Sequence, residues 1–189
     1  MTSTQDAITF SAEFLPGRGF TTEADKRFDS YDLAVDLYAV KRGRALGFLP
    51  YSDHIFIHDF NGHADDLDEL QARHESAREY VNDGYSVPKF LRAAVPNIAT
   101  IAIASGFGDT LKATVSKPLR SFVGGEFHVM FLIDIDERVI YSQGIVLTYV
   151  PDEARLQMEK QKGFKRIDPQ NRAYYTVQAM AQALFERMD

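Results

Sequence analysis

Two stretches of the sequence decide the predicted fold. They are NIATIAIASGFGDTLKATV at residues 97–115 and EFHVMFLIDIDERVIYSQGIVLTY at residues 126–149. In each of them an apolar run is followed by turn residues and then by a second apolar run, which is the pattern of a β-hairpin. The turn residues are Ser105 to Asp109 in the first stretch and Asp136 to Arg138 in the second. Four consecutive strands with short turns predict an antiparallel meander within about residues 97–150.

Two amphipathic helices are predicted to flank this sheet. Asp168-Pro169 is a typical helix start, with an N-cap side chain before a proline at the first helical position. A second helix is predicted over residues 65–81, with Gly84 just beyond its end. Apolar residues at spacings of three and four form the stripe of the C-terminal helix, namely Tyr174, Val177, Ala181, Leu184 and Met188.

The amino-terminal third gives weaker patterns. Residues 8–14 alternate between apolar and polar side chains, which predicts a strand. Residues 31–40 fit a strand or a helix, and we favour a strand because Lys41-Arg42-Gly43-Arg44 has the composition of a turn. Residues 54–60 contain the strand formers Ile55, Phe56 and Ile57 and predict a further strand.

Composition bounds the class of protein. The chain has 189 residues, 45% of them hydrophobic and 25% charged, which predicts a single α+β domain with a sizeable core. The formal net charge of −6 argues against a general nucleic-acid binder, because such a protein needs a basic face to meet phosphates. The absence of cysteine excludes disulfides, thiol nucleophiles and iron–sulfur ligation.

The chain also lacks the marks of secretion or membrane insertion. Residues 1–6 are polar and carry no basic stretch before an apolar core, so they do not resemble a secretory signal. No run of 18 apolar residues is present, so we expect no membrane span. We therefore expect a cytoplasmic protein.

Four of the five histidines fall between residues 54 and 74, close to several aspartates. Imidazole and carboxylate groups together are typical ligands of divalent metals, and the turn at Asn61-Gly62 brings part of this segment back on itself. The alternative is structural, since a histidine on the apolar stripe of a helix is usually a core contact and one near a helix start usually serves the turn. The candidate metal ligands are His58, Asp59, His63 and Asp65.

A basic stretch near the carboxyl end is the second candidate site. Residues 155–172 contain six bases and two acids, which is typical of a solvated face or of an anion-binding edge. The residues of the predicted anion-binding edge are Lys160, Lys162, Lys165 and Arg166.

Two classes of function remain open. The first is a non-catalytic domain that binds a protein partner or a small ligand, with the C-terminal helix available for homo-oligomerisation. The alternative is a divalent-metal-dependent hydrolase or phosphotransferase that uses the histidine and aspartate cluster at residues 54–66. No complete catalytic spacing is present in the sequence, and this favours the binding domain.

Overall fold

The computed structural model describes residues 3–45, 49–85, 96–117, 126–142, 145–148 and 172–188. These residues form an α+β fold in which helices cover both faces of one sheet. In the described part of the chain the α-helices are α1 (Thr4–Phe14), α2 (Leu67–Asp83), α3 (Asp109–Val115) and α4 (Arg172–Arg187). None of them combines the length and the apolar character that a membrane crossing requires.

The strands lie side by side in the order in which they occur in the chain. The sheet is mixed: β3, β4 and β5 run parallel to one another, and the remaining neighbours are antiparallel. The described strands are β1 (Thr21–Phe28), β2 (Leu33–Ala45), β3 (Leu49–Asp59), β4 (Asn97–Ala104), β5 (Phe127–Asp134), β6 (Val139–Ser142) and β7 (Ile145–Thr148).

The prediction of an antiparallel meander over residues 97–150 is wrong in its first half. Residues 109–115 form helix α3 instead of a return strand, and β4 pairs in parallel with β5. All eight residues of β4 are buried, which is typical of a central parallel strand whose two faces are both covered. Leu111 and Val115, four residues apart, are the buried positions of α3.

The second hairpin is confirmed. β5 and β6 pair antiparallel through the turn after Asp134, and Arg138 takes a left-handed conformation there with φ of 53°. The return run is divided into β6 and β7, which also pair antiparallel.

The amino-terminal segment is a helix, so the predicted strand over residues 8–14 is wrong. Ser3 Oγ accepts a hydrogen bond from the Asp6 backbone N–H at 3.1 Å, and the Ser3 N–H donates to the Asp6 carboxylate at 2.9 Å. This reciprocal capping box satisfies two free donors of the first turn. The buried residues Ala7, Ile8 and Ser11 then lie on one helical face.

The other predicted elements are mostly confirmed. Residues 31–40 and 54–60 fall largely within β2 and β3, but Lys41 to Arg44 continue β2 and do not form a turn. Helix α2 buries Leu70, His74, Ala77 and Val81. Helix α4 buries Tyr174, Val177, Ala181 and Leu184, and its predicted start at Asp168 lies outside the described residues.

The two faces of the sheet pack against different helices. One face, with Ile55, Ile101 and Phe131 at its centre, packs on α1 and α4. On the opposite face, Phe56 and Ile98 pack on the second half of α2, while Ala102 and Leu132 pack between α2 and α3. Because α2 crosses several strands, its C-terminal end lies over the β2–β3 pair, where the candidate site is found.

Candidate functional site

The segment predicted to bind metal does not gather its side chains at one point. His58 and Asp59 are adjacent in a strand and therefore point to opposite faces of the sheet. His58 Nδ1 lies 3.1 Å from Arg73 Nη1, and because a guanidinium can only donate, Nδ1 accepts this hydrogen bond. The Asp59 carboxylate instead accepts hydrogen bonds from Thr4 Oγ1 at 2.8 Å and from the Asn61 N–H at 3.1 Å.

The other two candidate ligands lie on the surface. His63 ends a short 3₁₀ turn, and its Nδ1 is 3.8 Å from the Asp66 carboxylate. The Asp65 carboxylate packs against Gly108, where an added Cβ would lie 1.7 Å from Asp65 Oδ1. Within the described ranges, no group of three or more potential ligands is close enough to hold a metal ion. The metal site is thus a prediction that elemental analysis still has to test.

The predicted anion-binding edge at Lys160, Lys162, Lys165 and Arg166 lies outside the described residues. Helix α4, predicted to be available for homo-oligomerisation, uses its apolar stripe on its own sheet. Tyr175 lies on the outer face of α4 and is 41% exposed. Self-association through this helix would therefore have to use that outer face.

A cleft of about 250 Å³ opens where the C-terminal end of α2 meets the paired strands β2 and β3. Register places Arg42 opposite Ser52 and Val40 opposite His54, so Arg42, Ser52 and His54 share the sheet face that α2 covers. Tyr85 closes one side, since its hydroxyl donates to the Pro50 carbonyl at 2.7 Å. The lining residues are Arg42, Gly43, Pro50, Tyr51, Ser52, His54, Tyr80, Val81, Gly84 and Tyr85.

His54 is one of two buried polar residues in this lining, with 5% exposure; the other is Ser52. Its Nδ1 lies 2.8 Å from the hydroxyl of Tyr38, and its ring is surrounded by Phe56 and Tyr80. Burial lowers the pKa of His54 to about 3, and the charge of Arg42 adds to this shift. The imidazole is therefore neutral at pH 7. It binds a proton too weakly to act as a general acid or a general base near neutrality.

Ser52 lies at the base of the cleft and is 6% exposed. Its Oγ is buried and makes no hydrogen bond with any described residue. A buried hydroxyl without a partner costs free energy, so such groups are rare in folded proteins. Rotation about χ1 moves a serine hydroxyl between staggered positions at little cost, which allows it to meet a partner that enters from outside.

Arg42 is exposed at the rim of the cleft. No ion pair or hydrogen bond joins its guanidinium to another described residue. Its charge nevertheless reaches the base of the cleft, because it adds to the lowering of the His54 pKa by burial and opposes the rise of the Tyr38 pKa that burial causes. Within the described part of the chain Arg42 is thus an unpaired cation, and its field extends into the cleft.

A separate buried polar network lies beneath the middle of α2. His74 Nδ1 is 2.8 Å from Thr100 Oγ1, and its Nε2 is 2.9 Å from Nδ1 of His128. One helical turn further along, Arg78 donates to the buried Glu126 carboxylate at 2.8 Å and 2.5 Å. These contacts tie α2 to β4 and β5, and each polar group in them has a structural partner.

The sequence interpretation considered His54 as a metal ligand and took Arg42 as part of a turn, so it did not bring them together. The available signal was the alternation of Ser52, His54 and Phe56, which places three side chains on one strand face. The turn between β2 and β3 had to be placed correctly before Arg42 could be paired with Ser52.

Comparisons with protein-family models, with curated proteins and with solved structures find no match in any of the three. The chemistry of the cleft is therefore the basis on which a function can be assigned.

Proposed function

We propose that the chain is a non-catalytic, cytoplasmic α+β domain that binds a small molecule in the cleft between α2 and the β2–β3 pair. The observation that carries this proposal is the buried Ser52 hydroxyl at the base of an open cleft, which has no hydrogen-bond partner among the described residues. A ligand that hydrogen-bonds this hydroxyl would remove the cost of leaving it unpaired.

The walls of the cleft support the same function. Tyr80 and Tyr85 supply aromatic surface, and His54 and Ser52 supply a few polar groups at the base. A mostly apolar concave surface with a few placed polar groups is the usual composition of a small-molecule site. The volume of about 250 Å³ is slightly below the range typical of drug-sized ligands, which favours a ligand with a single ring.

The low pKa of His54 favours binding over catalysis. A general base works best when its pKa is near the operating pH, and burial holds the pKa of His54 at about 3. A neutral imidazole can still donate or accept one hydrogen bond to a bound molecule, so His54 contributes to recognition.

The test is a titration of ¹⁵N-labelled protein with benzoate, benzamide and benzamidine, which share one ring and differ in charge. We expect at least one of them to shift the amide resonances of Ser52, His54 and Tyr85. Tyr85→Ala should weaken that binding, whereas Tyr175→Ala, which removes an exposed tyrosine of α4, should not. Shifts scattered over the surface, or none with any probe, would overturn the proposal.

A further inference from the structure

We infer that the ligand of this cleft is a small planar organic anion, whose negative group is bound by Arg42 and whose ring lies against Tyr80 and Tyr85. This inference rests on the proposed function, since it names the class of molecule that the same cleft takes. Three observations carry it: the charge of the lining, the hydrogen bond of the neighbouring Asp83 carboxylate, and the shape of the walls.

The first observation is the charge of the lining. Among the lining residues that the structure describes, Arg42 is the one acidic or basic side chain besides His54, which is neutral at pH 7. A guanidinium presents donors in a planar fork that matches a carboxylate or a phosphate. An anion in the cleft would meet this fork without competition from an ion pair with any described residue.

The second observation concerns the negative groups nearby. Asp83 lies near the end of α2, but its carboxylate accepts a hydrogen bond from the Tyr31 hydroxyl at 3.3 Å, on the side of the cluster formed by Phe28 and Tyr80. The C-terminal end of α2 carries a partial negative charge equivalent to about half an elementary charge. The partial negative charge of the helix end is thus half the size of the positive charge of Arg42. In addition, the N–H groups of Gly84 and Tyr85 already donate hydrogen bonds to carbonyls of the last turn.

The third observation is the shape and chemistry of the walls. The hydrogen bond from the Tyr85 hydroxyl to the Pro50 carbonyl fixes the Tyr85 ring beside the first residues of β3. Tyr80 is held in an aromatic cluster with Phe28, Tyr38 and Phe56, so its ring is also fixed in place. Rigid aromatic walls favour a flat ligand, because neither side chain needs to be ordered on binding.

The experiment ranks the three ring-matched probes on the intact chain. Benzoate should bind about three to five times more tightly than benzamide, and benzamidine should bind most weakly, because a partly exposed ion pair contributes modestly to affinity. Arg42→Gln should remove the advantage of benzoate over benzamide. Arg44→Gln is the matched control, since it removes the same charge from the same face of β2 outside the cleft and should keep that advantage.

Two further measurements test the contribution of the ring and the contribution of the charge separately. Acetate carries the negative charge without the ring and should bind at least about five times more weakly than benzoate, because it lacks the stacking surface. The advantage of benzoate should also shrink as salt rises from about 50 mM to about 500 mM, because the exposed guanidinium is screened. Equal binding of acetate and benzoate, or an advantage that survives high salt and Arg42→Gln, would overturn the inference.

The failures of the two proposals are distinguishable. If benzamide or benzamidine binds in the cleft as tightly as benzoate, the anion inference is wrong and the binding function stands. If none of the probes shifts the resonances of the cleft, both are wrong.

Discussion

His74 Nε2 lies 2.9 Å from His128 Nδ1, so a hydrogen bond between the two rings joins helix α2 to strand β5. The other nitrogen of the His74 ring is occupied by Thr100, and the ring is 3% exposed. Burial lowers the pKa of His74 well below its ordinary value, and the neighbouring His128 and Arg78 lower it further. The neutral form of this histidine is therefore part of the folded structure.

Stability should fall as the pH falls below about 6.5, the ordinary pKa of histidine. In the folded state, burial lowers the pKa of His54 and of His58 to about 3, and that of His74 is also lowered. Between about pH 6.5 and pH 3 the unfolded chain therefore binds more protons, and each buried histidine removes up to about 1.4 kcal/mol of stability per pH unit. Urea unfolding at several pH values measures this slope.

His58→Asn provides the test of the assignment, because an amide oxygen can replace Nδ1 as the acceptor for Arg73 while removing the titrating ring. The variant should show a shallower loss of stability with acid. Tyr175→Ala, which shortens an exposed side chain of α4, is the control and should keep the wild-type slope. Equal slopes in wild type and His58→Asn would contradict the prediction.

The sequence predicted the elements with strong periodicity and missed those decided by long-range pairing. The helix predicted over residues 65–81 is confirmed as α2, and its buried positions Leu70, His74, Ala77 and Val81 recur at spacings of three and four. The run from Asp109 to Val115 was too short for its period to decide between strand and helix. The strand β4 was predicted, but its antiparallel pairing in a hairpin was wrong, because its parallel neighbours are set by pairing with residues far away in the chain.

The candidate cleft was missed because Gly43 was interpreted as a turn residue. In the structure Gly43 lies within β2 directly opposite Tyr51, and an added Cβ would lie 2.5 Å from the Tyr51 ring. Glycine in a strand often marks such a close approach. This contact depends on the register of two strands, which one sequence does not specify.

The ion pair between Arg78 and Glu126 should be a strong link between α2 and the start of β5. Arg78→Met removes the guanidinium that donates to the carboxylate of Glu126, which is 5% exposed, and this should lower the free energy of unfolding by about 3 kcal/mol. Arg78→Met combined with Glu126→Gln should cost less than the two single changes added together, because no uncompensated charge is left.

A double-mutant cycle by urea unfolding measures this coupling. Lys26→Met removes the cation of an exposed pair with Glu23 and should leave the unfolding midpoint unchanged, which makes it the control. Strict additivity of the Arg78 and Glu126 changes would show that the pair is not coupled.

Ser52→Ala should leave the ligand-free protein as stable as the wild type, or more stable by about 0.5–1 kcal/mol, because it removes a buried hydroxyl that no described residue hydrogen-bonds. Ser142→Ala is the matched control, since the Ser142 hydroxyl lies 3.1 Å from the Tyr174 hydroxyl in the core. It should cost about 1 kcal/mol. Thermal unfolding of the two variants compares them directly, and an equal loss in both would mean that Ser52 is already satisfied in the folded chain.

Elemental analysis of untagged protein, purified without chelator, should find less than about 0.1 equivalent of zinc, manganese or iron, because structural and catalytic sites need three or four converging ligands. His58 is completely buried and accepts a hydrogen bond from Arg73, while Asp59 points to the opposite face and binds Thr4. Close to one equivalent of metal that is lost in His58→Asn or His63→Ala would instead support the metal-dependent enzyme. Metal that survives both changes would have to be held by other residues, and the assignment of His58, Asp59, His63 and Asp65 as ligands would be wrong.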